Sequence, residues 1–267
     1  MLNNVFFKSL RDERWAMVWW ALGLSLLAAL VIAFFPSIRG NYDFNSLMES
    51  YPENLKALFG FTELTDITSA VGFLNAELFA FMAPLLFVIH GVVLGSGSIA
   101  GEEGRGTLEI LLTEPITRGT LVAQKFAAMI TATVVLALVL WIVLVIGALA
   151  IDMDVSALRL AATTFSVMLL GVTFGALAFA AGCFTGIRST SVAVVAAIAV
   201  GTYFLNAASG IVSYMQPAKW LSPFYYYNGS DPLTNGLNPA HIAVLLATIA
   251  ILLGAGYFGL RRRDLRL

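Results

Sequence analysis

The sequence contains little charge and almost no cysteine or histidine. Charged residues make up 12 % and apolar residues 59 % of the 267-residue chain, whereas soluble domains are about a quarter charged. The single cysteine, Cys183, excludes an intrachain disulfide. The only histidines, His90 and His241, have no Cys, His, Asp or Glu neighbour at metal-ligand spacing. We therefore expect neither a soluble fold nor a metal site.

Motifs of enzymes and of nucleic-acid-binding proteins are also missing. Without a Gly-x-x-x-x-Gly-Lys-Ser/Thr phosphate loop, the chain is not expected to hydrolyse ATP by that route. The segment Gly95-Ser-Gly-Ser98 near His90 lacks the spacing of a nucleophile elbow and a partner carboxylate. We expect no catalytic residues and no nucleic-acid partner. An intramembrane hydrolase acting through Ser96 or Ser98 is a weak alternative.

Long apolar runs are what the sequence does have, with a mean hydropathy of +0.87. A helix rises 1.5 Å per residue, so about 20 apolar residues cross a bilayer core of about 30 Å. Helices satisfy every backbone amide internally, so we predict an all-α polytopic membrane protein. Six runs meet the length requirement: about Trp15–Phe35, Leu78–Ile99, Phe126–Ile151, Ala161–Phe184, Val192–Tyr214 and His241–Leu260.

The basic residues are distributed unequally between the two sets of connecting segments. No small-residue cleavage site follows the first run, so we expect that run to stay as a span. Only four of the 15 Lys and Arg residues lie in one set of loops: Arg39, Lys56, Arg159 and Lys219. The positive-inside rule then predicts an inner-membrane protein with both termini cytoplasmic.

The chain is predicted to be a single transmembrane domain over residues 1–267. Its expected parts are a cytoplasmic amphipathic helix at 1–14, an external helical loop at 36–77, a cytoplasmic segment at 101–125, an external aromatic loop at 215–240 and a basic cytoplasmic tail at 261–267. An ordinary cytoplasmic flank is an equal alternative for residues 1–14.

Both external loops carry specific signals. The run Ser50-Tyr-Pro-Glu53 predicts the start of a helix that ends at Gly60. A further helical piece is expected to open at Asp66 or Thr68. In the aromatic loop, we expect membrane-interface anchors, with ligand stacking as the alternative; the residues are Trp220, Phe224, Tyr225, Tyr226 and Tyr227.

Glycines recur at four-residue spacing inside the runs. The pairs are Gly91/Gly95, Gly97/Gly101, Gly171/Gly175 and Gly182/Gly186. Small residues allow helix backbones to approach closely in lipid. The pattern predicts tight helix packing, within one chain or between two chains.

The segment 101–125 carries seven charges between two apolar runs. Thr107 is a good N-cap for a short helix over 108–113, which Pro115 would stop, and Thr117 would cap a second helix that continues into the third span. Glu109 and Glu114 flank the apolar side of the short helix. A helix of this length is not stable alone, so it must pack on the spans or on a partner.

This segment resembles the signature of type-2 ABC exporter permeases: a glutamate pair, Gly-Thr-Leu-Glu, two leucines, Pro-x-Ser/Thr-Arg and a lysine. The six-span layout with a large first external loop is also similar. The family often has a re-entrant hairpin before the last span, whereas residues 215–240 here are polar and rich in proline. The matching residues are Glu102, Glu103, Gly106, Thr107, Leu108, Glu109, Leu111, Leu112, Pro115, Thr117, Arg118 and Lys125.

The resemblance implies a permease subunit of an ATP-driven exporter. It implies a second permease chain and two cytoplasmic ABC ATPase subunits, which would bind ATP and Mg, while this chain binds no cofactor. The short helix after the second span would be the coupling helix seated on the ATPase. The ATPase-coupling residues are then the matching residues up to Arg118, together with Glu114.

The sequence says less about the substrate. Few ionisable residues lie in the spans, which favours a hydrophobic or amphipathic substrate such as a lipid or drug. Thr131, Thr202, Asn206 and Ser209 are possible residues of a substrate path, although most such groups serve helix packing. A non-transporting membrane scaffold or sensor that recruits a cytoplasmic protein is the alternative function.

Overall fold

The structure is a computed structural model that describes residues 4–39, 66–108 and 116–263. These residues form helices and turns, with no strand among them. Six of the helices are long and apolar enough to cross a membrane, which confirms the predicted fold class at this level. We number them spans 1 to 6: Arg14–Ile38, Ala70–Gly104, Arg118–Ala150, Ala157–Thr185, Arg188–Ile211 and Pro239–Arg262.

Capping residues decide where several helices begin. The Thr117 hydroxyl accepts the Thr120 N–H at 3.1 Å, so span 3 begins at Arg118, well before the apolar run at Phe126. This start confirms the predicted Thr117 cap. Ser69 caps span 2 in the same way, one residue after Thr68, the later of the two predicted starts, and three after Asp66. Such side chains satisfy backbone donors that the first turn leaves free.

Span 2 contains two wide π turns, Asn75–Phe79 and Gly97–Gly101. A π turn inserts an extra residue and rotates everything after it about the helix axis. The second π turn directly precedes Glu102. It therefore sets the direction in which the last turn of span 2 presents its carboxylates.

Span 4 is the centre of the bundle. It packs against spans 2, 3, 5 and 6, while span 1 packs on span 3. In the most apolar stretch of span 4, 83 % is buried inside the bundle. The corresponding buried share is 28 % for span 1, 17 % for span 5 and 22 % for span 6. Spans 1, 5 and 6 therefore direct most of their apolar surface outwards.

Two of the predicted glycine pairs form one seam within the chain. A Cβ on Gly91 would lie 2.1 Å from the Gly171 carbonyl oxygen, and one on Gly95 would lie 2.1 Å from the Gly175 carbonyl oxygen. Spans 2 and 4 thus approach through their backbones, as small-residue motifs allow. Gly97 and Gly101 instead face the Arg188 side chain.

The aromatic loop consists of short pieces: a 3₁₀ helix over Ser213–Leu221 and helices over Pro223–Asn228 and Pro232–Asn235. Trp220 is 55 % exposed, as a membrane-interface anchor would be. The anchor prediction is wrong for Phe224 and Tyr227, which are buried. The Tyr227 hydroxyl donates to the Phe79 carbonyl at 2.7 Å, and burial raises the pKa of this phenol. Tyr227 therefore fastens the loop to span 2.

Two predictions fall on residues outside the described part of the chain. They are the helix between Ser50 and Gly60 in the first loop, and most of the short helix over 108–113. Both stay predictions.

Candidate functional site

One end of the bundle carries a cluster of charged residues around Glu102. Glu102 and Glu103 lie in the last turn of span 2, Lys125 lies in span 3, and Lys8 lies on the N-terminal helix Val5–Asp12. We call Glu102, Lys125, Lys8 and Thr107 the Glu102 cluster, and this side of the molecule the Glu102 end.

The Glu102 carboxylate is buried, and both of its oxygens accept hydrogen bonds. It is 4 % exposed, and its Oε1 accepts a hydrogen bond from Lys125 Nζ at 2.6 Å. Thr107 Oγ1 donates to Oε2 at 2.5 Å, and Lys8 Nζ lies 3.6 Å from Oε1. Lys125 is also only 4 % exposed. A buried pair of this kind is strongly destabilised when one partner is removed, because the other charge stays buried without compensation.

The N-terminal helix is packed on the bundle through this cluster. Val5 is buried, and its N–H donates to Gln124 Oε1 of span 3 at 2.9 Å. Lys8 connects the same helix to Glu102. The Asn4 side chain caps the helix by accepting the Phe6 N–H. The helix is thus attached to span 3 and to the end of span 2.

A second ion pair joins span 2 to the end of span 6. Arg263 is paired with the Glu103 carboxylate, and its Nη1 also donates to the Cys183 carbonyl at 3.1 Å. Gly186 ends span 4 with φ +66°, and a Cβ there would overlap the Arg263 guanidinium. Glycine is therefore required both for the left-handed turn and for space.

Arg118, the first residue of span 3, connects span 3 to the end of span 6. Its Nη1 donates to the Leu260 carbonyl at 2.8 Å and to the Arg263 carbonyl at 3.1 Å. Carbonyls in the last turn of a helix have no partner within the helix, so a cation there is favourable. Spans 2, 3, 4 and 6 and the N-terminal helix are consequently connected at one end by charged contacts.

The structure brings together only part of the predicted ATPase-coupling set. Glu102, Glu103, Thr107 and Arg118 contribute to the contacts above, while Leu108 is buried and Gly106 adopts φ +71°. Thr117 caps span 3. The remaining members lie outside the described residues: Glu109, Leu111, Leu112, Glu114 and Pro115.

This arrangement changes the interpretation of three predicted residues. Glu102 and Glu103 are among the predicted ATPase-coupling residues, but both carboxylates are paired within the chain. The Thr107 hydroxyl, predicted to cap the following helix, turns back to Glu102. Sequence reasoning missed Lys8, Gln124 and Arg263 as partners, because their contacts join segments far apart in the chain.

The four predicted substrate-path residues lie on two separate spans. Thr131 is on span 3, whereas Thr202, Asn206 and Ser209 are on span 5. The hydroxyls of Thr131, Thr202 and Ser209 each donate to a carbonyl of their own helix. These bonds are typical of helix packing, and the substrate path stays a prediction.

The serines and the histidine that were considered as catalytic or metal-binding residues pack within the helix bundle. Ser96 and Ser98 donate to carbonyls of span 2, at Val93 and Leu94. His90 is buried edge-on against Trp20, with 5.3 Å between ring centroids, and its ring nitrogens have no hydrogen-bond partner within the described residues. Among those residues no group of three or more His, Cys, Asp or Glu side chains is arranged to hold a metal ion.

The fold defines a multi-pass α-helical membrane protein. The chain belongs to the ABC-2 family of transporter proteins, whose family model matches residues 4–265. This confirms the resemblance found in residues 99–125 and makes the chain a membrane permease of the ABC transporter class, a transport component that is typically not catalytic itself. Permeases of this family generally work with ABC ATPases. No curated protein matches the chain.

Proposed function

We propose that the chain is the permease half of an ATP-driven exporter for hydrophobic or amphipathic molecules. The observation that carries the proposal is the family match over residues 4–265, combined with the charged contacts at the Glu102 end. A segment attached to several spans at once transmits a displacement to all of them. The few charged side chains within the spans favour an apolar substrate.

The Glu102 end is cytoplasmic in this proposal. The loops on that side hold eleven of the 15 Lys and Arg residues, as the positive-inside rule requires. Single cysteines placed at Ser50 and Thr113, in a Cys183→Ser background, test the orientation. An impermeant thiol reagent added to intact cells should label position 50 but not position 113. Labelling of both positions from outside would overturn the six-span topology.

Residues 109–115 form the contact with the ATPase in this proposal. Leu111 and Leu112 provide the apolar anchor, and Glu109 and Glu114 provide charge for basic groups on the ATPase. Glu102 and Glu103 act within the chain, where they keep the base of this segment attached to spans 3 and 6. ATP binding and closure of two ATPases would then rock the spans as packed units.

The working unit contains two permease chains and two ATPases, with ATP and Mg bound by the ATPases. Span 5 favours a contact with the second permease, because Ala193, Ala197 and Gly201 are exposed at four-residue spacing. Small residues at this spacing allow close helix contact in lipid. Mass measurement in nanodiscs tests the stoichiometry, and a stable monomer that supports ATP-driven transport would refute it.

Proline at position 112 tests the coupling role. In the predicted helix over 108–113, Leu112→Pro removes the backbone donor to the carbonyl of residue 108 and costs about 3 kcal/mol. We expect normal membrane insertion but weak binding of the ABC ATPase encoded nearest to this gene, and no transport. Leu112→Ala is the matched control, since it deletes the same side chain but keeps the helix, and should be milder.

Pull-down of the ATPase and ATP-dependent flux in proteoliposomes are measured for wild type and both variants. If Leu112→Pro bound the ATPase and transported as well as wild type, residues 107–114 would not be the coupling segment. Binding without any ATP-dependent flux in the wild type would favour the scaffold or sensor alternative.

A further inference from the structure

Two cavities meet at Arg159, at the end of the bundle opposite Glu102. The larger has a volume of about 800 Å³ and lies between spans 3 and 4. The smaller, about 610 Å³, lies between the end of span 1, residues 68–71 and the start of span 4. Arg159 lines both cavities, and the segment 233–237 forms part of the wall of each. We call this side of the molecule the Arg159 end.

The larger cavity is an apolar groove that opens sideways. Its walls include Leu138, Phe165 and Leu237, which are 50 %, 37 % and 44 % exposed. Trp141 forms another wall, and its ring is held by a hydrogen bond from Nε1 to the Ala157 carbonyl at 3.0 Å. Since the groove lies along the outside of two helices that are apolar enough to cross a membrane, we expect its opening to face the acyl chains of the bilayer. Its volume is typical of small-molecule sites.

The Arg159 guanidinium is half-buried and makes no hydrogen bond or ion pair within the described part of the chain. Gly236 makes room for it, because a Cβ at that position would lie 2.5 Å from Arg159 Nη1. Gly236 also has φ +84°, a conformation that favours glycine. Among the described residues, the guanidinium is thus unpaired and lies between an apolar groove and a cavity whose wall also carries charged groups.

The other charged groups at the smaller cavity are Arg39 and Asp154. Arg39 is exposed and donates to the Asp152 carbonyl at 3.3 Å. The side chains that line this cavity therefore carry two guanidinium groups and one carboxylate, a net positive charge. Thr68 and Ser69 lie in the same wall, but their hydroxyls already donate to the Asp66 carboxylate and carbonyl. The two guanidinium groups suit a single anionic head group rather than a neutral or cationic one.

We infer that this pair of cavities binds an anionic phospholipid of the bilayer, with its phosphate on Arg159 and an acyl chain in the groove between spans 3 and 4. Basic pockets between membrane helices bind anionic lipid head groups for the same electrostatic reason. The inference does not depend on ATP-driven export. It concerns a resident lipid, not the transported molecule.

The test uses the full chain purified in detergent and incubated with phosphatidylglycerol or phosphatidylcholine of identical acyl chains. Bound lipid is counted by native mass spectrometry. We expect selective retention of phosphatidylglycerol, and a loss of affinity of about tenfold in Arg159→Gln, since a hydrogen bond to a charged group is removed. Lys219→Gln is the matched control: Lys219 lies over Tyr225 and Trp220 and lines neither cavity.

A second variant tests the groove independently of charge. Ala161→Phe adds a ring to the groove wall and should reduce retention of both lipids, whereas Ala250→Phe on the exposed surface of span 6 should not. Equal retention of the two lipids by the wild type would overturn the inference, as would unchanged selectivity in Arg159→Gln. If Arg159→Gln does not fold, unchanged retention in Ala161→Phe has the same consequence. ATP-dependent transfer of phosphatidylglycerol between leaflets would identify it as cargo and contradict a resident lipid.

Discussion

The Glu102 end and the Arg159 end each pack a glycine against an arginine, but the two arginines differ in their contacts. At each end a glycine with positive φ lies against an arginine: Gly186 against Arg263, and Gly236 against Arg159. Arg263 is paired with Glu103 and with backbone carbonyls. Arg159 makes no such contact within the described residues and faces two cavities instead.

This difference indicates that the two ends of the bundle have different roles. Ion pairs and charged hydrogen bonds connect the helices at the Glu102 end, so a displacement of one helix there moves its neighbours. The Arg159 end keeps a guanidinium and open volume, which suits binding. A family motif alone does not distinguish these roles, because it identifies residue types and not their partners.

The largest effect should come from breaking the buried pair at the Glu102 end. Lys125→Met leaves the Glu102 carboxylate buried. The cationic partners that remain among the described residues are the more distant Lys8 and Arg105, at 3.6 and 4.0 Å. We expect a loss of about 3 kcal/mol in the free energy of unfolding. Thermal unfolding of the purified protein measures it.

The double variant Glu102→Gln/Lys125→Met is the control for that prediction. It removes both charges, so most of the lost stability should return, while transport should stay impaired. If the single and double variants were equally unstable, the cost would come from packing of the Lys125 chain and not from an uncompensated charge.

The next comparison exchanges the two arginines for glutamine. Arg263→Gln should cost about 2 kcal/mol, because it leaves Glu103 and the Cys183 carbonyl without a cation. Arg159→Gln should change stability by less than about 0.5 kcal/mol, since it breaks no hydrogen bond or ion pair among the described residues. Chemical denaturation of both variants tests the contrast. Equal losses would mean that Arg159 has a structural role and would weaken the division between the ends.

The next comparison concerns Gly186 and Gly236, for which we expect smaller changes in stability. Alanine at either position is strained by the left-handed backbone, at about 1–2 kcal/mol. Gly186→Ala should be the more costly variant, because its methyl group meets an arginine held by Glu103, whereas Arg159 is free to move away from Gly236→Ala. Melting temperatures test the order. Gly254→Ala, with open space around the added methyl, is the control and should be close to neutral.

Among the variants at the Glu102 end, the smallest effect is expected for Lys8→Ala. Lys8 is 3.6 Å from Glu102, and its side chain is partly exposed, so the loss should be about 0.5 kcal/mol. Limited proteolysis should cleave the N-terminal helix faster than in the wild type. A loss as large as that of Lys125→Met would show that Lys8, and not Lys125, is the main partner of Glu102.

Much of the fold follows from local features of the sequence. Each span is a continuous apolar run, and hydropathy needs no tertiary information to identify it. Thr117 was predicted as a cap because capping depends on residues three positions apart. The family was recognised from residues 99–125, since a motif is also local. The ATPase-coupling role of that segment and the substrate path stay predictions, because no contact described here tests them.

The tertiary structure determined which charged side chains pair with each other. Glu102 was predicted to face another protein, yet it is paired with Lys125, 23 residues away, and Glu103 with Arg263, 160 residues away. The glycine pairs did not reveal whether they join one chain or two, and the structure uses Gly91, Gly95, Gly171 and Gly175 within the chain. Composition and spacing determine which segments enter the membrane, because burial of apolar surface depends on each segment alone. Which charges meet depends on how the helices are rotated and packed, and only the assembled bundle fixes that.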